Sequence, residues 1–432
     1  MDERDERYSA DFPEDETRET QTEYEGNPED FDPDEQYNRI KEQTRRADEE
    51  RKSPRYLRKE RDRKWDMIRR YLMYLCLVLA GVSALLLYVH NYRFTTYSVD
   101  SETKIASGEN AGVFAFKDGN VVVSADSVSY VVNEQSVFMT ALSVRNPVFV
   151  SEGDYFALFT MGGYRAYIGD ATGILATIKV SRGIRCMDIS AAGVTAVCTE
   201  SEDTAFITYY DRYGTHIAVD VKTALNLSGY PVNLSVSPDG QKLAVIYYTV
   251  ANGIGESRLV FYDFEHGRPD KSYVIQAFED FYEDNTFLVS CAFTDNKHVT
   301  VVGDNRMLFL SYNGVDNVTR QEITLNDTVR SVYHEGADLI VVTGEGEHNR
   351  CNRYDLNGRL RGAFDVDTDY DTVCASDRFV VFKKGAHIVY YNASGKLRYE
   401  GDLVREPVSI AFFGKKSLLV NTGTMLQKIT LK

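Results

Sequence analysis

A short turn signal returns at a nearly constant interval along most of this 432-residue chain. It is an aromatic residue followed by Asp or Asn, two variable residues and Gly, and its clearest copies are residues 210–214, 354–358 and 391–395. Looser copies end at residues 136, 173, 267 and 314, which gives a mean spacing of about 43 residues. Asp and Asn hydrogen-bond to the backbone ahead of them, and Gly adopts the positive φ that closes the turn. The spacing predicts a protein built from one repeated β unit.

The segments between these turns contain short alternating runs of Val, Ile, Phe, Tyr and Thr, which predict antiparallel strands. A period of about 40–45 residues with four short strands is typical of a β-propeller blade. We therefore predict an all-β fold, a β-propeller over residues 90–432, with eight blades favoured and seven possible. Residues 95–105 would supply the last blade's fourth strand and close the ring, whereas a β-sandwich array would need a longer repeat. The predicted blade starts lie near Val113, Val148, Ile184, Val232, Phe287, Val329, Thr372 and Val408.

Residues 71–89 form a run of 19 residues without a charged side chain. As a helix the run would be about 28 Å long, close to the hydrocarbon thickness of a bilayer. A cleavable signal peptide would begin near residue 1 and have a shorter apolar core. We predict one uncleaved transmembrane helix, with membrane-anchoring side chains at Tyr71, Leu75, Leu79, Leu86 and Val89.

Residues 38–70, before this run, contain fourteen bases and seven acids. The positive-inside rule therefore predicts a cytoplasmic N-terminus and an extracytoplasmic C-terminal domain. We expect the bases nearest the helix to face anionic lipid head groups. They are Arg61, Arg63, Lys64, Arg69 and Arg70.

Residues 1–37 contain sixteen acids, three bases and almost no aliphatic side chains. Such a segment buries too little apolar surface to offset the entropy lost on ordering, so we predict an acidic disordered tail. The whole chain has a net charge of −16, which argues against nucleic acid as a partner.

Two short motifs resemble known propeller repeats. Residues 236–244, VSPDGQKLA, resemble the strand–turn–strand signature of WD-repeat-like and TolB-like propellers. Residues 170–173, DATG, resemble the quinoprotein-type repeat, although its usual tryptophan is missing. The whole layout is similar to an uncharacterised family of single-pass, membrane-anchored β-propeller proteins of Gram-positive bacteria. The resemblance implies a propeller fold and a membrane location, and it carries over no catalytic residue.

The sequence shows no catalytic, cofactor-binding or metal-binding motif. No histidine pair has zinc-ligand spacing, and no G-x-S-x-G elbow occurs. The polar cluster at residues 345–351 fits a hairpin loop better than a metal site. The alternating Asp365, Asp367, Asp369 and Asp371 fit either a solvated loop between blades or a calcium loop, but not an EF-hand.

Five of the six cysteines lie in the predicted propeller, so at least one of these is unpaired within the chain. Most fall in β-rich runs, where a free cysteine behaves as a small apolar side chain. Cys186 and Cys198 are placed to be neighbours on adjacent strands of one blade.

A complete fold signal without a catalytic motif favours a non-catalytic interaction protein, whose propeller binds an envelope protein or ligand. The long repeat at residues 249–285 is the best candidate for its contact surface. Two alternatives remain: a transmembrane ligand sensor, and an envelope glycan hydrolase or lyase with carboxylates in the propeller channel.

Overall fold

The computed structural model describes residues 33–51, 54–105, 112–132, 135–251, 253–266, 273–282, 286–314, 317–335, 338–376 and 378–432. Most of the acidic tail therefore lies outside the described residues. The chain divides after Asn91 into two compact units. The second of these is Tyr92–Lys432.

The described part of the N-terminal unit contains two helices, α1 (Pro33–Arg51) and α2 (Pro54–Asn91). Exposed ion pairs one turn apart support α1, among them Arg39–Glu35 and Arg46–Glu42. Because α1 begins at Pro33, the helix includes the last residues of the segment for which the sequence predicts disorder.

The propeller unit contains, among its described residues, thirty-two strands, one short α-helix, α3 (Leu225–Ser228), and one 3-10 helix, Asp280–Tyr282. The first sixteen strands are β1 (Tyr97–Lys104), β2 (Gly112–Phe116), β3 (Gly119–Val123), β4 (Ser127–Val132), β5 (Gln135–Ala141), β6 (Pro147–Glu152), β7 (Tyr155–Thr160), β8 (Arg165–Asp170), β9 (Gly173–Lys179), β10 (Ile184–Ile189), β11 (Thr195–Glu200), β12 (Thr204–Tyr210), β13 (His216–Ala224), β14 (Tyr230–Val236), β15 (Lys242–Ala251) and β16 (Ile254–Asp263). The remaining strands are β17 (Val274–Phe278), β18 (Leu288–Phe293), β19 (His298–Gly303), β20 (Arg306–Tyr312), β21 (Val318–Thr324), β22 (Val329–Glu335), β23 (Asp338–Glu345), β24 (His348–Tyr354), β25 (Leu360–Val366), β26 (Thr372–Ala375), β27 (Phe379–Lys384), β28 (His387–Asn392), β29 (Leu397–Asp402), β30 (Ser409–Phe412), β31 (Ser417–Asn421) and β32 (Met425–Leu431).

These strands form eight four-stranded antiparallel sheets, which are the blades of a β-propeller. Blades 1 to 7 use consecutive strands, and blade 8 has the order β1-β32-β31-β30. The N-terminal strand β1 therefore closes the ring against β32, as predicted, and removes an exposed sheet edge. The inner strand of every blade begins within two residues of its predicted start, so the eight-bladed alternative is confirmed.

The recurring glycine turns connect the third and fourth strands of a blade. In blade 3 the Asp211 carboxylate accepts hydrogen bonds from the N–H groups of Tyr213 and Thr215, and Gly214 has φ +75°. A Cβ on Gly358 would lie 2.7 Å from the Phe309 ring of the preceding blade. These turns need glycine both for its φ and for the close approach of the neighbouring blade.

The motif at residues 236–244 forms the turn between the first two strands of blade 4. The Ser237 hydroxyl donates to Asp239 at 2.5 Å and accepts from the Lys242 N–H at 2.9 Å. The motif therefore stabilises a turn.

The apolar core lies between neighbouring blades and contains no tryptophan, because the single Trp65 of the chain is in α2. Fully buried rings of Tyr130, Tyr209, Tyr247 and Tyr390 contribute to this packing.

The propeller has two faces, which we name from their connections. The lower face carries the turns described above and residues 92–96, where Phe94 donates its N–H to the Arg398 carbonyl. The upper face carries the hairpins between second and third strands and the connections between blades. The longest strands of such a hairpin are in blade 4, where β15 and β16 have ten residues each.

Candidate functional site

The predicted membrane anchor lies within α2, a helix of 38 residues. Among the described residues, one segment is long and apolar enough to cross a membrane, Lys64–Tyr88, which includes an 18-residue stretch with a mean hydropathy of 2.1. Tyr71, Leu75, Leu79 and Leu86 are all exposed. Val89 lies in the same helix, and its side chain is outside the described part.

Four of the five predicted lipid-facing bases are also exposed on α2: Arg61, Lys64, Arg69 and Arg70. The side chain of Arg63 is not among those described. Arg61 lies before the apolar segment, and the other three bases lie in its first seven residues. All four are in the same helix as the apolar residues that follow.

The most apolar part of the upper face is at blade 4. Strands β15 and β16 pair over their full ten residues, from Lys242↔Asp263 to Ala251↔Ile254. The hairpin tip exposes Val250 and Ile254, with 63% and 55% of their surfaces accessible.

Three further exposed apolar side chains, Leu227, Tyr230 and Phe287, lie around this tip. Gly229, at the end of α3, packs against the backbone of Tyr248, and the Tyr248 ring meets the Phe287 ring edge-on at 4.8 Å. We call the exposed set around Tyr248 the upper apolar surface; it consists of Leu227, Tyr230, Val250, Ile254 and Phe287. Its hairpin lies in the predicted contact segment 249–285, of which residues 252, 267–272 and 283–285 are outside the described part.

Acidic side chains lie next to the upper apolar surface. Asp304 accepts a hydrogen bond from the Phe287 N–H at 2.9 Å, and the Asp203 carbonyl accepts one from the N–H of Leu225 in α3. Glu256 pairs with Thr249 in the hairpin. The surface is therefore apolar at its centre and negative at these neighbouring positions.

The corresponding hairpin of blade 6, between β23 and β24, carries Glu345, Glu347 and His348. The predicted hairpin loop is present there. The hairpin borders an open cavity of about 840 Å³ that is also lined by Asp327, Asp365 and Arg350. No group of three or more His, Cys, Asp or Glu side chains in the described part of the chain is arranged to hold a metal ion.

Two of the four predicted aspartates, Asp365 and Asp369, form ion pairs with bases. Arg350 binds Asp365 at 2.7 Å, and Asp369 accepts from Lys384 at 2.8 Å and from Arg330 at 2.9 Å. Lys384 and Arg330 lower the pKa of Asp369 to about 2. These ion pairs engage Asp365 and Asp369 within the fold, whereas Asp367 lines the cavity and Asp371 accepts a hydrogen bond from the Gly385 N–H.

The central channel contains a cavity of about 400 Å³ near the lower face, lined by the ends of five inner strands. It brings together two carboxylates, Glu152 of β6 and Asp188 of β10. Asp188 accepts hydrogen bonds from the N–H groups of Ile189 and Val236 and from the Ser235 hydroxyl, at 2.8–3.0 Å. Burial raises the pKa of Asp188 to about 6, and it also raises the pKa of Glu152.

His334 of β22 lies in the wall of the same cavity. Its ring nitrogens hydrogen-bond to the hydroxyls of Ser290 at 3.0 Å and Thr300 at 3.1 Å. Burial lowers the pKa of His334 to about 4, so the ring is neutral near pH 7.

Asp188 and His334 hold neighbouring blades together. Asp188 joins blade 3 to blade 4 through the Ser235 hydroxyl. The same hydroxyl accepts a hydrogen bond from the Phe293 N–H, which joins blade 4 to blade 5. His334 joins blade 6 to blade 5. Both carboxylate oxygens of Asp188 already accept protein donors, which suits a structural acceptor better than a general acid or base.

Sequence reasoning missed the channel residues and most of the upper apolar surface. Their members come from separate blades and share no local motif. The one local signal was the apolar tip of the blade 4 hairpin, within the segment that the sequence analysis selected.

Solved structures similar to this chain are propeller proteins of low sequence identity. BamB from Moraxella catarrhalis is 10% identical, with a TM-score of 0.45, and the match covers 78% of this chain and 100% of that chain. AztD from Citrobacter koseri is 12% identical, with a TM-score of 0.44 and coverages of 69% and 87%. The WD40 domain of coronin from Toxoplasma gondii is 13% identical, with a TM-score of 0.43 and coverages of 76% and 88%.

No curated protein sequence matches this chain. One family model covers residues 90–431, which is nearly the whole propeller unit. The chain therefore belongs to DUF5711, described as a family of unknown function.

Proposed function

We propose that this protein is a non-catalytic, membrane-anchored interaction protein that binds an envelope protein through the upper apolar surface. The observation that carries the proposal is the exposed tip of the blade 4 hairpin. Val250 and Ile254 contribute little to folding where they are, because most of their surface is in contact with water.

The chemistry of this surface defines the partner. An apolar centre with Asp304 and Glu256 beside it fits a protein segment whose apolar side chains are flanked by Lys or Arg. Apolar contact would supply most of the affinity, and the acids would favour basic partners over acidic ones.

The apolar segment of α2 and the bases before it support the membrane part of the proposal. A lipid bilayer is the environment in which the exposed leucines of Lys64–Tyr88 avoid water. The charge asymmetry favours a cytoplasmic N-terminus and an external propeller.

The binding proposal is tested with the full chain in its own membranes. The double variant Val250→Asp/Ile254→Asp should lose at least about tenfold of the cross-linked partner, because two charges in an apolar interface are costly. Val404→Asp is the matched control, since Val404 is 89% exposed on the connection between blades 7 and 8. Equal capture by the double variant would refute the proposed surface.

Proximity labelling tests the orientation. A labelling enzyme on the C-terminus should modify external envelope proteins, and the same enzyme on the N-terminus should modify cytoplasmic ones. Cytoplasmic labelling from the C-terminus would overturn the orientation and leave the contact surface to be tested in the cytoplasm.

A third experiment distinguishes the proposed interaction protein from the catalytic alternative. Asp188→Asn and Glu152→Gln change the channel carboxylates and leave the upper apolar surface unaltered. Partner binding should therefore survive both substitutions, whereas a glycan hydrolase or lyase would lose its turnover of envelope glycans.

A further inference from the structure

Two cysteines of blade 3 lie directly opposite each other. Cys186 of β10 and Cys198 of β11 are register partners in an antiparallel pair. Directly opposed residues in such a pair have Cα atoms about 4.5 or 5.5 Å apart. Both values fall within the range of about 4.4–6.8 Å that a disulfide spans.

The side chains of these residues also meet. The neighbouring Cys198 thiol, together with burial, raises the pKa of the Cys186 thiol. Both pack into the apolar cluster between blades 3 and 4, where Cys198 is fully buried and Cys186 is half-buried.

The nearby Cys291 has other partners. Its thiol lies 3.2 Å from the Asn233 side-chain oxygen and 3.8 Å from the Ala244 carbonyl. It belongs to a different apolar cluster, between blades 4 and 5. Cys186 and Cys198 are therefore the pair that the strand register selects.

We propose that Cys186 and Cys198 form an intrachain disulfide in the mature protein. One cysteine thiolate attacks the disulfide bond of an oxidant, a protein or low-molecular-weight disulfide, and releases the first thiolate of the oxidant. The second cysteine then attacks the resulting mixed disulfide and releases the second thiolate. One S–S bond forms in the chain while one breaks in the oxidant. The oxidant leaves as two thiols, which take up the two hydrogens that the cysteines lose.

The hairpin explains how buried thiols become oxidised. Strands β10 and β11 are joined by a short turn, so the pair can meet before blade 4 covers it. After packing, burial protects the closed bond from thiol exchange. The inference rests on the proposed external location, because thiols are kept reduced in the cytosol.

Thiol counting on the full chain tests the proposal. Cells are quenched with an alkylating reagent under denaturing conditions, and free thiols are counted by mass before and after reduction. The wild type has six cysteines, so we expect four reactive thiols before reduction and six afterwards. Cys374→Ser, the matched control, should give three and five, whereas Cys186→Ser and Cys198→Ser should each give five in both conditions.

Six reactive thiols in unreduced wild type would overturn the proposal, and so would a Cys186→Ser variant that still gains two thiols on reduction. A parallel sample of purified full chain, unfolded and refolded with oxidised glutathione, identifies the cause of failure. Closure there but not in cells would count against the external location. Failure in both would count against the pairing and leave the proposed contact surface intact.

Discussion

The hairpins at the upper ends of blades 4 and 6 occupy equivalent positions and carry opposite chemistry. The blade 4 tip exposes Val250 and Ile254, whereas the blade 6 tip carries Glu345 and Glu347. The same blade architecture holds both in place. The comparison teaches that the repeat determines where a hairpin lies and leaves its tip free to specialise.

The two blades also differ in how their inner strands are fixed to a neighbour. A carboxyl group, Asp188, binds the inner strand of blade 4 to blade 3. A neutral imidazole, His334, binds the inner strand of blade 6 to blade 5. One blade therefore depends on an acid and the other on a base.

The largest expected effect is on the free energy of unfolding, and it differs between the two hairpins because their glycines have different surroundings. Gly344 in β23 has φ +134°, and a Cβ there would collide with the His348 carbonyl of the paired strand. Gly344→Ala should lower the free energy of unfolding by more than about 3 kcal/mol, measured by denaturant unfolding in detergent. Gly253 also has positive φ, at +80°, but has open space around it, so Gly253→Ala should cost only about 1 kcal/mol. Equal costs would show that the two hairpins are equally constrained.

Acidification should act on the two blades in opposite directions. The pKa of His334 is lowered from 6.5 to about 4, so its contribution of about 3 kcal/mol is present above pH 6.5 and lost as the pH falls to 4. The pKa of Asp188 is raised from 3.8 to about 6, so its contribution, also about 3 kcal/mol, is lost as the pH rises from 3.8 to 6. The two contributions nearly cancel in the wild type between pH 7 and 4.

Substitution should reveal each contribution. Relative to the wild type, His334→Gln should gain stability on moving from pH 7 to 4, and Asp188→Asn should lose it. The comparison uses unfolding curves at both pH values, and the double variant should return to the wild-type difference. If His334→Gln and Asp188→Asn shift the difference in the same direction, the assignment of acid to one blade and base to the other is wrong.

Much of the fold could be predicted because its signals are local. The glycine turns and alternating strands repeat, so errors at one blade start do not spread to the next. The channel was not predictable, since Asp188 and His334 become neighbours of one cavity only after the ring closes. The upper apolar surface was predictable at Val250 and Ile254 alone, because Leu227 and Phe287 join it through tertiary packing.

A smaller effect distinguishes two arginines within blade 6. Arg330 donates to the Gly346 carbonyl at 2.9 Å and to the buried Asn349 at 3.0 Å, and its guanidinium lies 4.4 Å from the Tyr370 ring centre. Arg330→Met should cost about 2 kcal/mol of unfolding free energy. Arg350→Met, which removes an exposed pair with Asp365, should cost less than about 1 kcal/mol. If Arg350→Met cost more than Arg330→Met, the exposed ion pair at the cavity would stabilise blade 6 more than the contacts of Arg330 on the buried side of the hairpin.

The smallest expected effect is the one that bears most directly on function. Val250→Ser and Ile254→Ser remove apolar side chains that are more exposed than buried, so each should change the unfolding free energy by less than about 0.5 kcal/mol. The same substitutions should weaken partner capture, because the contact between the upper apolar surface and its partner loses apolar area. A loss of stability comparable to that of Gly253→Ala would show instead that these side chains pack within the propeller. Stability and binding measured on the same two variants therefore decide whether the blade 4 tip is kept apolar for folding or for contact.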